Sequence, residues 1–211
     1  MTTVNKKPDH AILFLYEGDT EGGFYDRLFE LYGLTRQVQI KKKCINGIYN
    51  INQKVADKIY GYLENAKNDH VKYLTVFVAY DREQARGEID SRINIGLIIK
   101  QTADKRLKAI HEIIATQMLE SWFFIDIDGI YSYLKMPASQ REPHKYSNHE
   151  KYTADNLDEL FKQKDKRSKY YKGAGCIDLI KHLDLMKIHD NCPDLKKGID
   201  KLFQVAGIKR A

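Results

Sequence analysis

The chain has 211 residues, 43% hydrophobic and 11% aromatic. That suits one α/β domain with a small appendage and argues against a disordered chain. The formal net charge of +6 leans toward a polyanionic partner. Three scattered cysteines, Cys44, Cys176 and Cys192, argue against a disulfide framework or a CxxC zinc site and fit a reduced cytoplasm. No segment approaches ~18 uncharged apolar residues, and the first ten residues lack an apolar leader core, so a membrane location is not expected.

In chain order, the continuous apolar run 11–16 (AILFLY) predicts a buried central strand. Residues 22–33 carry Phe24, Leu28, Leu31 and Tyr32 at helical spacing, with Gly33 as the stop. Residues 37–44 (QVQIKKKC) alternate and predict a second strand. After the turn NGIYN, residues 51–66 place Ile51, Val55, Ile59, Tyr62 and Leu63 on one helical stripe. Residues 72–80 (KYLTVFVAY) are a β-branched and aromatic strand. A polar loop over 84–96, a helix over 97–108, a strand over 109–115 and an amphipathic helix over 118–134 follow. Beyond Met136 the texture turns polar and proline-bearing, with short helices expected at 153–163, 175–186 and 194–206. Alternating strand and helix through 134 predict an α/β core over 1–135, a mostly parallel sheet of about four strands with helices on both faces. Residues 136–211 are read as a loop insertion and helical extension packed on that core.

Carboxylates cluster where strands end. Glu17 follows the first strand in EGDTE, and Asp81 and Glu83 follow the third in DRE. Ligands of such sheets bind beyond the carboxyl ends of the strands. Thr20 is read as the cap of the next helix, with Glu21 in its first turn. Asp19 is read as a turn or solvent residue. Acids gathered at one sheet edge repel each other unless a cation lies between them. A hard divalent ion with oxygen ligands is the usual answer. Each acid taken alone is as readily a cap or a solvated side chain.

At these residues the sequence resembles the Toprim superfamily, which carries a glutamate after the first strand and a DxD motif after the third. Here those positions are Glu17 and Asp81-Arg82-Glu83, with Glu83 departing from the usual aspartate. EGDTE is more specifically similar to the Toprim domains of OLD-type nucleases and their small stand-alone relatives. MLESWFFID (118–126) resembles a helix of those relatives, with Glu120 as a further metal-binding acid. The segment 168–202 resembles their C-terminal part, where an active-site lysine is expected; Lys172 matches best and Lys169 less well. The resemblance implies a Toprim-like fold with Glu17, Glu21, Asp81, Glu83 and Glu120 holding Mg²⁺ or Mn²⁺. It implies cleavage or nicking of DNA, with a role in phage defence, and Lys172 stabilising developing charge. Glu17 is a metal ligand or a general acid or base.

Two basic stretches are read as grips for nucleic acid: RQVQIKKK, with Lys41, Lys42 and Lys43, and KQKDKRSKYYK, with Arg167, Lys169 and Tyr170. Either is equally readable as solvated surface. HEIIA (111–115) lacks the second histidine of a zinc-protease helix. There is no P-loop pattern, so an ATPase would be a separate defence-system partner. A module that binds nucleic acid or a partner without cutting is the alternative.

Overall fold

The computed structural model describes residues 8–34, 39–82 and 93–208. Four parallel strands, β1 (His10–Tyr16), β2 (Ile40–Cys44), β3 (Tyr73–Asp81) and β4 (Leu107–Ala115), form a sheet in the order β2-β1-β3-β4. β1 and β3 are central, which is why they read as near-continuous apolar runs.

The two-residue period of these strands sorts their side chains between two cores. Ile12, Phe14 and Phe77 join α1 (Asp19–Leu31) through Phe24, Tyr25, Leu28 and Phe29. Leu13, Leu15, Val76 and Val78 join α2 (Ile51–Leu63) and α3 (Ile95–Thr102) through Val55, Ile59 and Ile98. The first connection thus runs over one face and the next two over the other. This arrangement creates a switch point between β1 and β3, where open α/β sheets place their ligands.

The chain after β4 adds short helices: α4 (Leu119–Phe123), α5 (Ile127–Tyr133), α6 (Ala154–Lys164), α7 (Ile177–His182), α8 (Leu185–Asn191) and α9 (Pro193–Ala206). Their Leu157, Ile180 and Ile199 share the α1 core with Phe14 and Ile113, so the extension packs directly on the sheet.

Several boundaries depart from expectation for tertiary reasons. The helix expected over 97–108 ends at Thr102, because Ala103 turns left-handed at φ 48° and an Asp104–Arg106 ion pair of 2.7 Å folds the chain into β4. The single helix expected over 118–134 breaks at a 3₁₀ turn, Phe124–Asp126. There the buried Asp126 accepts from Asp184 N–H at 2.8 Å and from Lys187 Nζ at 3.0 Å. The helix expected over 175–186 splits because Asp184 caps a new one, accepting from Lys187 N–H at 2.9 Å. α1 begins at Asp19, earlier than read, so Gly22 lies inside it. A Cβ there would sit 2.9 Å from the Tyr16 ring, and the glycine allows α1 to approach β1. Glu83 and residues 84–92 of the polar loop fall outside those described, while the end of that loop is helical, because α3 begins at Ile95, where the Asn94 side chain accepts from Leu97 N–H. No helix of the described residues is long and apolar enough to cross a membrane.

A carboxylate cleft at the switch point

A cleft of about 450 Å³ opens at the carboxyl ends of β1 and β3. Glu17, Glu21, Asp81, Glu120 and Lys172 line it, with Asp19, Cys44, Asn46 and Gly173 around them. Five residues singled out from four separate stretches of sequence therefore meet in one place. Glu83 lies outside the described residues.

Each acid is fixed locally. β1 delivers Glu17, whose Oε2 accepts from Asp81 N–H at 2.9 Å and ties the two strand ends together. Asp81, the last residue of β3, is buried and accepts from Leu119 N–H through Oδ1 at 2.8 Å. That bond docks the start of α4 and brings in Glu120, its second residue. Gly18, not Thr20, is the N-cap of α1; the Glu21 carboxylate folds back to accept from Gly18 N–H at 3.0 Å. Thr20 is buried instead and accepts from Gly173 N–H at 2.7 Å. This pins the segment 170–173 over the cleft, with Gly173 at φ 69°, a backbone region that favours glycine. Lys172 Nζ then lies 3.7 Å from Glu120 Oε1.

The electrostatics follow from crowding. Burial, then the neighbouring Glu17 and Glu120 charges, push Glu21 up to about 7. Burial, then the charges of Glu21, Glu17 and Glu120, push Asp81 well above the usual carboxylate range. Glu120 is 1% exposed and its Oε2 has no hydrogen-bond partner. A buried acceptor left unmatched is costly, and a cation would relieve both it and the mutual repulsion. By charge and by this orphan oxygen, the residues fit a hard divalent ion. Among the described residues, however, no three His, Cys, Asp or Glu side chains are grouped so as to hold one ion in common.

The basic stretches fare differently. On β2, Lys41 and Lys43 are level with Leu13 and Leu15 on the α2 face, where they line a small polar groove with Lys67 and Asn68. Lys42 points to the other face and pairs with Asp26. Arg167 and Lys169 are exposed. Tyr170 corrects the sequence reading: it is 6% exposed, so its ring cannot serve as a platform for bases. It packs beside Phe161, and its hydroxyl donates to Glu120 Oε1 at 3.1 Å. Sequence reasoning missed this bond and the Thr20–Gly173 bond. The closeness of Tyr170 to Lys172 was the one signal for the first, and nothing local marked the second.

A family model described as a domain of unknown function, DUF4276, matches residues 16–202. The chain belongs to that family. The match begins at the end of β1 and runs into α9, so this DUF4276 domain contains the whole cleft. Comparison with curated proteins gave no match, and comparison with solved structures gave none either.

Proposed function

We propose that the protein is a Toprim-like, divalent-metal-dependent endonuclease or nickase that cleaves nucleic-acid phosphodiesters, DNA foremost. The observation that carries this reading is Glu120, a fully buried carboxylate with an orphan oxygen beside Glu17, Glu21 and Asp81 at the switch point of a parallel sheet. Glu17, Glu21, Asp81 and Glu120 would hold Mg²⁺ or Mn²⁺. Such ions, when bound, would polarise a phosphate and lower the pKa of a bound water. Lys172, half exposed at the rim, is free to turn from Glu120 to a phosphate oxygen and stabilise charge that builds there. Glu17 is a ligand or the group that moves a proton. Lys41, Lys43, Arg167 and Lys169 would hold the phosphate backbone without reading sequence. The expected setting is the cytoplasm, in phage defence, with any ATPase supplied by a separate partner.

Plasmid nicking tests the proposal. Supercoiled DNA should be nicked only with Mg²⁺ or Mn²⁺, and Glu17→Ala and Asp81→Ala should each abolish it. Turnover of a small phosphate ester with DNA untouched, or nicking that survives both substitutions, would refute it. One observation favours a second reading. Lys172 already sits as a counter-charge beside Glu120, and among the described residues no three ligands surround one point. A cleft neutralised by its own lysine would suit a module that binds nucleic acid or a partner protein without cutting. Salt-sensitive binding with no cleavage in any divalent metal would establish that reading.

A further inference from the structure

Four acids of the cleft share a constraint. In each, the protein already holds one carboxylate oxygen: Glu17 Oε2 by Asp81 N–H, Glu21 Oε2 by Gly18 N–H, Asp81 Oδ1 by Leu119 N–H, and Glu120 Oε1 by the Tyr170 hydroxyl. The first three donors are backbone groups. The fourth is a side chain from the C-terminal extension, and it acts on the acid whose other oxygen has no partner.

We propose that Tyr170 is a positioning residue of the metal centre: it holds Glu120 as a one-oxygen ligand and so favours Mn²⁺ or Mg²⁺ over Ca²⁺. The inference rests on the metal-dependent reading above and adds to it the part that sets which ion fits. Mg²⁺ takes single carboxylate oxygens in a tight octahedron and keeps waters, whereas Ca²⁺ takes six to eight oxygens and readily uses both of one carboxylate. An acid with one oxygen engaged by a hydroxyl is poorly placed to chelate. Tyr170 suits the task because it is anchored and neutral. Its N–H donates to Asp158 Oδ1 at 2.9 Å, and its ring lies 5.8 Å from that of Phe161. An ordinary phenol keeps its proton at neutral pH, so it remains a donor. A neutral donor orients Glu120 without cancelling the charge that a cation needs. Lys172 is too exposed to do the same.

The test is calorimetric titration of Mn²⁺ and of Ca²⁺ into the full chain. Wild type, Tyr170→Phe, Glu120→Gln and the double variant are compared, with metal-free melting curves confirming that each folds. Outer-sphere partners of this kind are worth roughly ten- to a hundredfold in metal affinity. Tyr170→Phe should therefore weaken Mn²⁺ binding by about that factor, and Ca²⁺ binding less, narrowing the Mn²⁺/Ca²⁺ affinity ratio. In the Glu120→Gln background it should change nothing further, because Tyr170 acts through Glu120. A Phe161→Leu variant, which keeps the hydroxyl and the Asp158 anchor, should change the ratio far less than Tyr170→Phe does. Wild-type Mn²⁺ affinity in Tyr170→Phe, additivity with Glu120→Gln, or an equal effect of Phe161→Leu would overturn the assignment while leaving the metal reading intact. A wild-type protein that binds neither ion would overturn both.

Discussion

Glu21→Gln should stabilise the metal-free protein, and the gain should grow with pH. Glu21 is held at about 7 in the fold against an ordinary value of 4.5, chiefly by burial. Because the folded value is the higher one, the folded protein keeps a proton that the unfolded chain releases. Stability is therefore intact below about pH 4.5 and falls as pH rises toward 7. At 1.36 kcal/mol per pKa unit, the difference corresponds to about 3 kcal/mol lost above pH 7, as an order of magnitude. Glutamine removes the charge but keeps a side-chain oxygen to accept from Gly18 N–H. Urea unfolding in the presence of a chelator, at intervals from pH 4.5 to 8, reads the effect directly. The two proteins should be nearly equal at the acid end, with the variant more stable by ~2–3 kcal/mol at pH 8. Parallel stability profiles across that range would refute the idea that buried, mutually repelling charge dominates this cleft. Added Mn²⁺ should shrink the difference, since a cation binds more tightly to, and so stabilises more, the protein that retains all its carboxylates.

Two further predictions concern the surface and the core. Lys41→Ala with Lys43→Ala should weaken nucleic-acid binding and reduce the slope of log affinity against log salt by roughly two for a duplex. Lys42→Ala, on the opposite face and paired with Asp26, should leave that slope nearly unchanged in the same anisotropy titration. Gly198→Ala, where α9 crosses β4, places a Cβ 2.5 Å from Ile113 Cγ1. Overpacking of about 1–3 kcal/mol, partly offset by roughly 1 kcal/mol of helix propensity, should give a net loss in urea unfolding.

What could be read from sequence follows from how local each determinant is. β1 and β3 were legible because central parallel strands must be apolar on both faces, and AILFLY and YLTVFVAY carry that in consecutive residues. EGDTE was legible for the same reason: an acid directly after a buried run has few places to be except the sheet edge. The all-parallel sheet with helices on both faces follows the alternation of elements. The breaks at Asp126 and Asp184 were not legible, because each is made by a partner about sixty residues away or by a cap within a stretch of good helical periodicity. Tyr170 was misplaced because a tyrosine between lysines looks like surface; only its contact with a distant, buried acid reveals its environment. Thr20 was misread as a cap because its hydroxyl suits that role locally, whereas Gly173 claims it from the far end of the chain.

The most direct measurement of the central claim is anomalous diffraction from crystals soaked in millimolar Mn²⁺. The account predicts a peak in the cleft in contact with Glu120 Oε2, accompanied by Asp81 and Glu17, with Lys172 displaced from Glu120. A cleft without a peak, in which the Lys172 ammonium still neutralises Glu120, would contradict it.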